Sequence, residues 1–225
     1  MKPYLITMSS HTSGMPRFLR SLEKLGDSVE HLAIQFKPYT ENLKTHSVFD
    51  RAYPGHLYRY NFIPDNLDRS RHVMFTDTDD VIFQKPLPEK LDYDIYLSPE
   101  NISHKNTLWE RYINFYLPFK PLLDCQVYNC GSFIMRVDIL YQYINFLKSH
   151  KVDDFDRYNF EQLHFNLFIY KHPEFSKVVD LSLLCPLYNN FEQDNVYKKN
   201  EVWYTKNGKV ICCVHENGVK GRLSP

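Results

Sequence analysis

Residues 72–84 run His-Val-Met-Phe-Thr-Asp-Thr-Asp-Asp-Val-Ile-Phe-Gln, an apolar stretch that stops abruptly in acid and then resumes. A short apolar run of this kind fits a strand buried on both faces, the central strand of an α/β sheet. The segment Asp77-Thr78-Asp79-Asp80 then stands at the carboxyl end of that strand, where open α/β sheets bind their ligands.

The surrounding sequence supports that architecture. Residues 4–10 read as a buried strand, and residues 29–36 as a second. Between them, Phe18, Leu19, Leu22 and Leu25 recur at helical spacing, with Gly26 as a stop. Strand, helix, strand is how an α/β sheet begins. Residues 37–56 read as a loop or irregular helix, and 56–67 as a helix interrupted at Pro64. Further strands are expected over 92–100, 128–137, 178–190 and 202–218, with a hairpin turn at Asn207-Gly208. Helices are expected over 107–119, 138–150 (capped by Asp138) and 160–172. Gly131 permits close backbone approach within its strand. No linker or repeat divides the chain, so 1–225 reads as one domain; the closing Gly-Arg-Leu-Ser-Pro carries no structural stop, as expected of a domain cut from a longer chain.

Composition removes several function classes. Lys and Arg number 27 and Asp and Glu 27, so the basic excess of a nucleic-acid binder is missing. No run of ~18 apolar residues marks a membrane span. The N-terminal Met-Lys-Pro-Tyr-Leu-Ile-Thr lacks the apolar region of a signal peptide, so action in the compartment of synthesis, the cytoplasm, is expected. The five cysteines form no disulfide or zinc pattern and read as reduced, buried thiols.

Two carboxylates at i and i+2, Asp77 and Asp79, suit a hard divalent cation, Mn²⁺ or Mg²⁺, shared with a substrate diphosphate. A calcium loop of the EF-hand type needs glycine at its sixth position, where this chain has Ile82. Asp77-Thr78-Asp79-Asp80-Val81 also fits the local pattern of haloacid-dehalogenase phosphatases, whose nucleophile follows the first strand, whereas two strands precede this one. A second informative segment is His215-x-x-Gly218-x-Lys220, just past an apolar run. Imidazole can complete a Mn²⁺ shell, glycine lets backbone approach phosphate, and lysine supplies a compact positive charge.

With both segments in one chain, the sequence resembles the GT-A glycosyltransferases, most closely their retaining, family-8-like branch. That resemblance implies a single Rossmann-like α/β domain with a central mixed, mostly parallel sheet flanked by helices. It implies a nucleotide-binding half over about 1–100 and a sugar and acceptor half over about 101–225. Asp77, Asp79 and His215 would hold the metal, Gly218 and Lys220 the phosphates, with Thr78 beside them. Arg59, 18 residues before Asp77, falls where the family carries an arginine to donor sugar or phosphate. Asn129-Cys130-Gly131 resembles the family's Asn-Ala-Gly segment facing the donor sugar, and Glu161-Gln162 its Asp-Gln pair in the sugar pocket. Thr7 and Ser9 would meet uracil and ribose. The implied reaction moves a hexose from a UDP-sugar to a hydroxyl on a glycan or glycoprotein, with retention. If a base is needed, Glu161, Asp80 and Glu216 are the candidates. A nucleotide-sugar or glycan-binding module without turnover is the alternative. The compact size also resembles the small glycosyltransferase domains of large algal (chlorella) viruses, which would place the chain in host cytoplasm.

Overall fold

The computed structural model of the protein describes residues 1–9, 15–35, 60, 63–77, 80–106, 110, 113–114, 117–150, 160–187 and 195–216. The chain opens with β1 (Tyr4–Ser9), α1 (Met15–Leu22) and β2 (Glu30–Gln35). Gly26, at φ +50°, does not end α1, which stops at Leu22; it begins a short 3₁₀ turn over Gly26–Ser28. Next come β3 (His72–Thr76), β4 (Val81–Phe83), β5 (Ile95–Tyr96), β6 (Pro99–Ser103), β7 (Gln126–Tyr128) and β8 (Ser132–Arg136). Two helices follow, α2 (Val137–Ser149) and α3 (Phe160–Lys171). The last strands are β9 (Lys177–Val178), β10 (Leu184–Pro186), β11 (Val196–Lys199), β12 (Val202–Thr205) and β13 (Cys213–His215).

The central sheet has the order β2-β1-β3-β8-β5-β9. Only β8 runs against the rest, so the sheet is mixed and mostly parallel. Alternate side chains feed two cores. Tyr4, Ile6, Val73, Phe75, Phe133 and Met135 face one side, where α2 and α3 cover them with Tyr143, Phe165 and Phe168. Leu5, Met74 and Ile134 face the other, where they meet Phe18 of α1 and a second sheet, β10-β13-β4, through Val81, Phe83, Leu184 and Cys213. Cover on both faces explains why β3 carries no polar alternation: Val73, Met74, Phe75 and Thr76 are all fully buried.

Several expectations are corrected. Asp138 does not cap α2; Arg136 holds the cap position without a side-chain cap bond, and Asp138 pairs with the Arg136 guanidinium instead. The run 92–100 is not one strand. It leaves the central sheet after Tyr96, and Pro99 begins β6, which pairs β7 in a separate ladder. The run 128–137 breaks at residues 129–131, between β7 and β8. Strand β11 was not foreseen: it pairs β12 across Asn200 and Glu201, both at positive φ (49° and 62°), a conformation Asn adopts more readily than Glu. The Asn207-Gly208 turn is present, with Gly208 N–H donating to Thr205 O. The stretches 37–56 and most of 107–119 lie outside the described residues. All five cysteines are free; burial pushes the Cys212 thiol up to about 12 and Cys213 well up also, so both stay protonated. Among the described residues, no helix is long and apolar enough to cross a membrane.

Phe75 stacks between Phe133 and Tyr60, with ring centroids 5.2 and 5.3 Å away. Phe75→Ala should therefore destabilise the domain by ~3–5 kcal/mol, read as a lower denaturant midpoint in chemical unfolding.

Candidate metal and donor site

Three pieces of sheet meet at the carboxyl end of β3. Strand β1 lies between β2 and β3, so the strand order reverses there, the position at which open α/β sheets leave a crevice. Thr7 is level with Thr76, and Asp77 is the next residue. Because β8 is antiparallel, its first residue, Ser132, pairs with Thr76, and the preceding Gly131 lies alongside Asp77. The Asp77 N–H donates to Gly131 O at 2.8 Å and continues that ladder. In the second sheet, Val81 of β4 pairs with His215 of β13. The Glu216 N–H donates to Asp80 O at 2.7 Å, which brings Asp80 beside His215.

The resulting cluster is Asp77, Asp80 and His215, whose ligand atoms all lie within 4.8 Å of one another. His215 Nε2 is 3.1 Å from Asp80 Oδ1 and 3.9 Å from Asp77 Oδ2. The imidazole is 1 % exposed; the two carboxylates remain partly open. On its other edge, His215 Nδ1 lies 3.0 Å from Asn129 Oδ1. That oxygen also accepts the Gly131 N–H at 2.8 Å, while Asn129 Nδ2 donates to Glu100 Oε1 at 2.8 Å. With the carboxamide so oriented, Nδ1 must be the donor, and Nε2 faces the carboxylates. Burial depresses the His215 pKa, but the bond to Asp80 and the charges of Asp80, Asp77 and Glu100 outweigh it, so the net shift is upward.

Gly131 is required by crowding. A Cβ there would sit 2.4 Å from His215 Cε1 and 2.5 Å from Asp77 Oδ2. Beneath the cluster, Gln162 Nε2 donates to Glu100 Oε1 at 2.9 Å, and Cys130 N–H approaches Gln162 Oε1 at 3.4 Å. Beside it, Arg17 of α1 grips the buried Glu216 carboxylate with two nitrogens, and Trp203 Nε1 donates to the same carboxylate at 3.4 Å. These bonds tie α1 and β12 to the end of β13.

Of the residues expected at the site, Asp77, Asp80, Asn129, Gly131, Gln162 and His215 are brought together. Asp80 was expected as a catalytic group, and it is the nearer carboxylate to His215. Glu161 points elsewhere: its carboxylate is 3 % exposed and accepts the Tyr60 hydroxyl at 2.7 Å within the aromatic core. Glu216 is paired with Arg17. Thr7 is buried, with its hydroxyl 2.8 Å from His31 Nε2, and burial lowers the His31 pKa. Ser9 closes β1 opposite Gln35. Arg59, Thr78, Asp79, Gly218 and Lys220 lie outside the described residues. Glu100 and Arg17 were missed. Neither carried a local signal: Glu100 closes a strand-like stretch that already holds Asp92 and Asp94, and Arg17 lies on a helix among other charged residues.

The donor set suits a hard divalent cation. Two carboxylates and one imidazole nitrogen gathered in this way are residues that would hold such an ion, and a protein bond fixing the far imidazole nitrogen is the usual support of a metal-binding histidine.

No protein-family profile matches the sequence, and no curated protein matches it. Solved structures do. The galactosyltransferase LgtC, in complex with donor and acceptor sugar analogues, aligns over 95 % of this chain and 87 % of its own, at 11 % identity and a TM-score of 0.54. The fold is that of the GT-A glycosyltransferases. Mouse xyloside xylosyltransferase 1, apo form, aligns over 97 % of this chain and 98 % of its own at 10 % identity, with a TM-score of 0.48. The glycosyltransferase GlyE of Streptococcus pneumoniae TIGR4 aligns over 81 % of this chain at 13 % identity and a TM-score of 0.44, and the match spans 46 % of GlyE.

Gly131→Ala should displace His215 or Asp77 while leaving the cores intact. The expected outcome is loss of Mn²⁺ binding of ~10-fold or more in calorimetry, with an unchanged far-ultraviolet spectrum.

Proposed function

We propose that the chain is a metal-dependent glycosyltransferase that moves a hexose from a UDP-sugar to a hydroxyl of a glycan or glycoprotein acceptor, with retention. The observation that carries this reading is the Asp77–Asp80–His215 cluster at the strand-order reversal of a GT-A fold. Asp77, Asp80 and His215 would hold Mn²⁺ or Mg²⁺, with Asp79 adjacent in the sequence as a further ligand or ribose contact. The cation, when bound, stabilises negative charge growing on a departing diphosphate. Thr78, Arg59, Gly218 and Lys220 are assigned to donor sugar and phosphate, and Thr7 and Ser9 to the nucleoside. Asn129, Gly131 and Gln162 form the wall beneath. The commitments of Glu161 to Tyr60 and of Glu216 to Arg17 favour same-face attack assisted by the leaving phosphate over a carboxylate base at either position. Five free thiols are in keeping with a reducing compartment, the cytoplasm.

The test is UDP binding with Mn²⁺ and with chelator, followed by UDP release from donor sugars. Affinity should fall by ~10-fold or more on chelation and in Asp77→Asn. Equal affinity in all three would overturn the reading, and metal-dependent donor binding without any UDP release would identify a binding module.

Protonation gives an independent check. In the metal-free protein the raised His215 pKa contributes stability below the ordinary imidazole value of ~6.5, and that contribution is lost as pH rises through the folded value. A cation on Nε2 must displace this proton. Mn²⁺ affinity should therefore rise with pH, and the calorimetric enthalpy should depend on the buffer's ionisation enthalpy near neutrality.

A further inference from the structure

Glu100 is a buried acid with no lysine or arginine against it among the described residues. It is 3 % exposed at the start of β6. One of its oxygens, Oε1, takes two N–H donors from two different elements: Asn129 Nδ2 at 2.8 Å, from the break between β7 and β8, and Gln162 Nε2 at 2.9 Å, from the first turn of α3. Burial pushes its pKa up, and the two donors oppose that. Burying a carboxyl is costly unless hydrogen bonds repay it, so the arrangement calls for a role that a smaller or apolar side chain would not fill.

That role follows from what Asn129 does next. Its Oδ1 receives both the Gly131 N–H and His215 Nδ1. Turned over, the carboxamide would aim its NH₂ at the Gly131 donor and at Nδ1, and its oxygen at the Glu100 carboxyl. We propose that Glu100 is a positioning residue for His215: through Asn129 it holds the imidazole as the Nδ1–H tautomer, with the Nε2 lone pair turned to Asp77 and Asp80. The chain of bonds runs Gln162, Glu100, Asn129, His215, and joins α3 and β6 to the end of β13. Its consequence for a cation rests on the metal-site reading above; its consequence for the imidazole does not.

The experiment uses metal-free, ¹⁵N-histidine-labelled protein at a pH above the His215 titration, with the tautomer read from long-range ¹H–¹⁵N spectra and Mn²⁺ affinity from calorimetry. Wild type should be Nδ1–H. Glu100→Gln keeps an acceptor oxygen and should keep that tautomer, with Mn²⁺ affinity within about twofold. Glu100→Leu removes it, and should raise the Nε2–H form and weaken Mn²⁺ binding by ~10–100-fold, with cooperative thermal unfolding retained. A folded Glu100→Leu with wild-type tautomer and wild-type affinity would overturn the proposal. So would a folded Glu100→Gln that loses the tautomer, and this variant decides alone if the leucine variant does not fold. A wild-type protein that binds no Mn²⁺, but whose tautomer shifts in Glu100→Leu, would sink the metal site and leave the role of Glu100 standing.

Discussion

A buried imidazole between two carboxylates and a carboxamide is the contact on which the rest of this molecule turns. His215 is 1 % exposed, far below what a titratable side chain usually tolerates without partners. It tolerates this because Nδ1 is bonded to Asn129, while the carboxylates of Asp80 and Asp77 stand 3.1 and 3.9 Å from Nε2. Those partners come from two connections, Asp77 and Asp80 from the two ends of the β3–β4 link and Asn129 from the β7–β8 link. The central sheet and the small sheet must therefore dock in one relative position for the cluster to exist. The shared core of Leu5, Met74, Ile134, Val81, Phe83 and Cys213 supplies that docking. Packing specifies the geometry, and the polar cluster has no tolerance for a shifted register.

Gly131 shows how narrow the tolerance is. A single methyl at that position would overlap both His215 and Asp77. The glycine serves neither a turn nor a left-handed backbone here, since its φ is not positive among the described glycines. It serves close approach between the start of β8 and the end of β13. Glu100 extends the same logic away from the cleft. Its one oxygen joins a helix and a strand break that share no sheet ladder.

The fold was largely legible because β3 carries the apolar run Val73-Met74-Phe75 and is followed at once by acid. That pattern fixes a central strand, a crevice at its carboxyl end and the α/β class. Short strands were harder. β5 and β9 have two residues each, too few for any period, and β6 begins only three residues after β5 ends, in a ladder with β7 that no local pattern announces. Asp77 and His215 were visible as the ends of apolar runs. The place of Asp80 beside the imidazole was not, because spacing along the sequence favours Asp77 and Asp79, whereas it is the β4–β13 register that brings Asp80 to His215. Glu100 acts through two hydrogen bonds to residues 29 and 62 positions away, and no local pattern encodes such a relation. Glu161 shows the opposite failure. It sits next to Gln162, yet one step around a helix turns its carboxylate into the aromatic core and onto Tyr60.

Charge ties these features together. Without a cation, two carboxylates at the mouth of the crevice would repel a diphosphate, and the repulsion strengthens as water is excluded. The raised proton affinity of His215 partly offsets that charge in the metal-free protein by placing an imidazolium against Asp80. A divalent ion would replace one proton with two charges and so neutralise the two carboxylates that the imidazolium only half offsets. On the proposed function, the cluster then discriminates by itself: it disfavours a nucleoside diphosphate alone and favours one that arrives with its metal. On the proposal above, Asn129 and Glu100 enter this balance through the imidazole, because they decide that Nε2, the nitrogen facing the carboxylates, is the one that can exchange a proton for an ion.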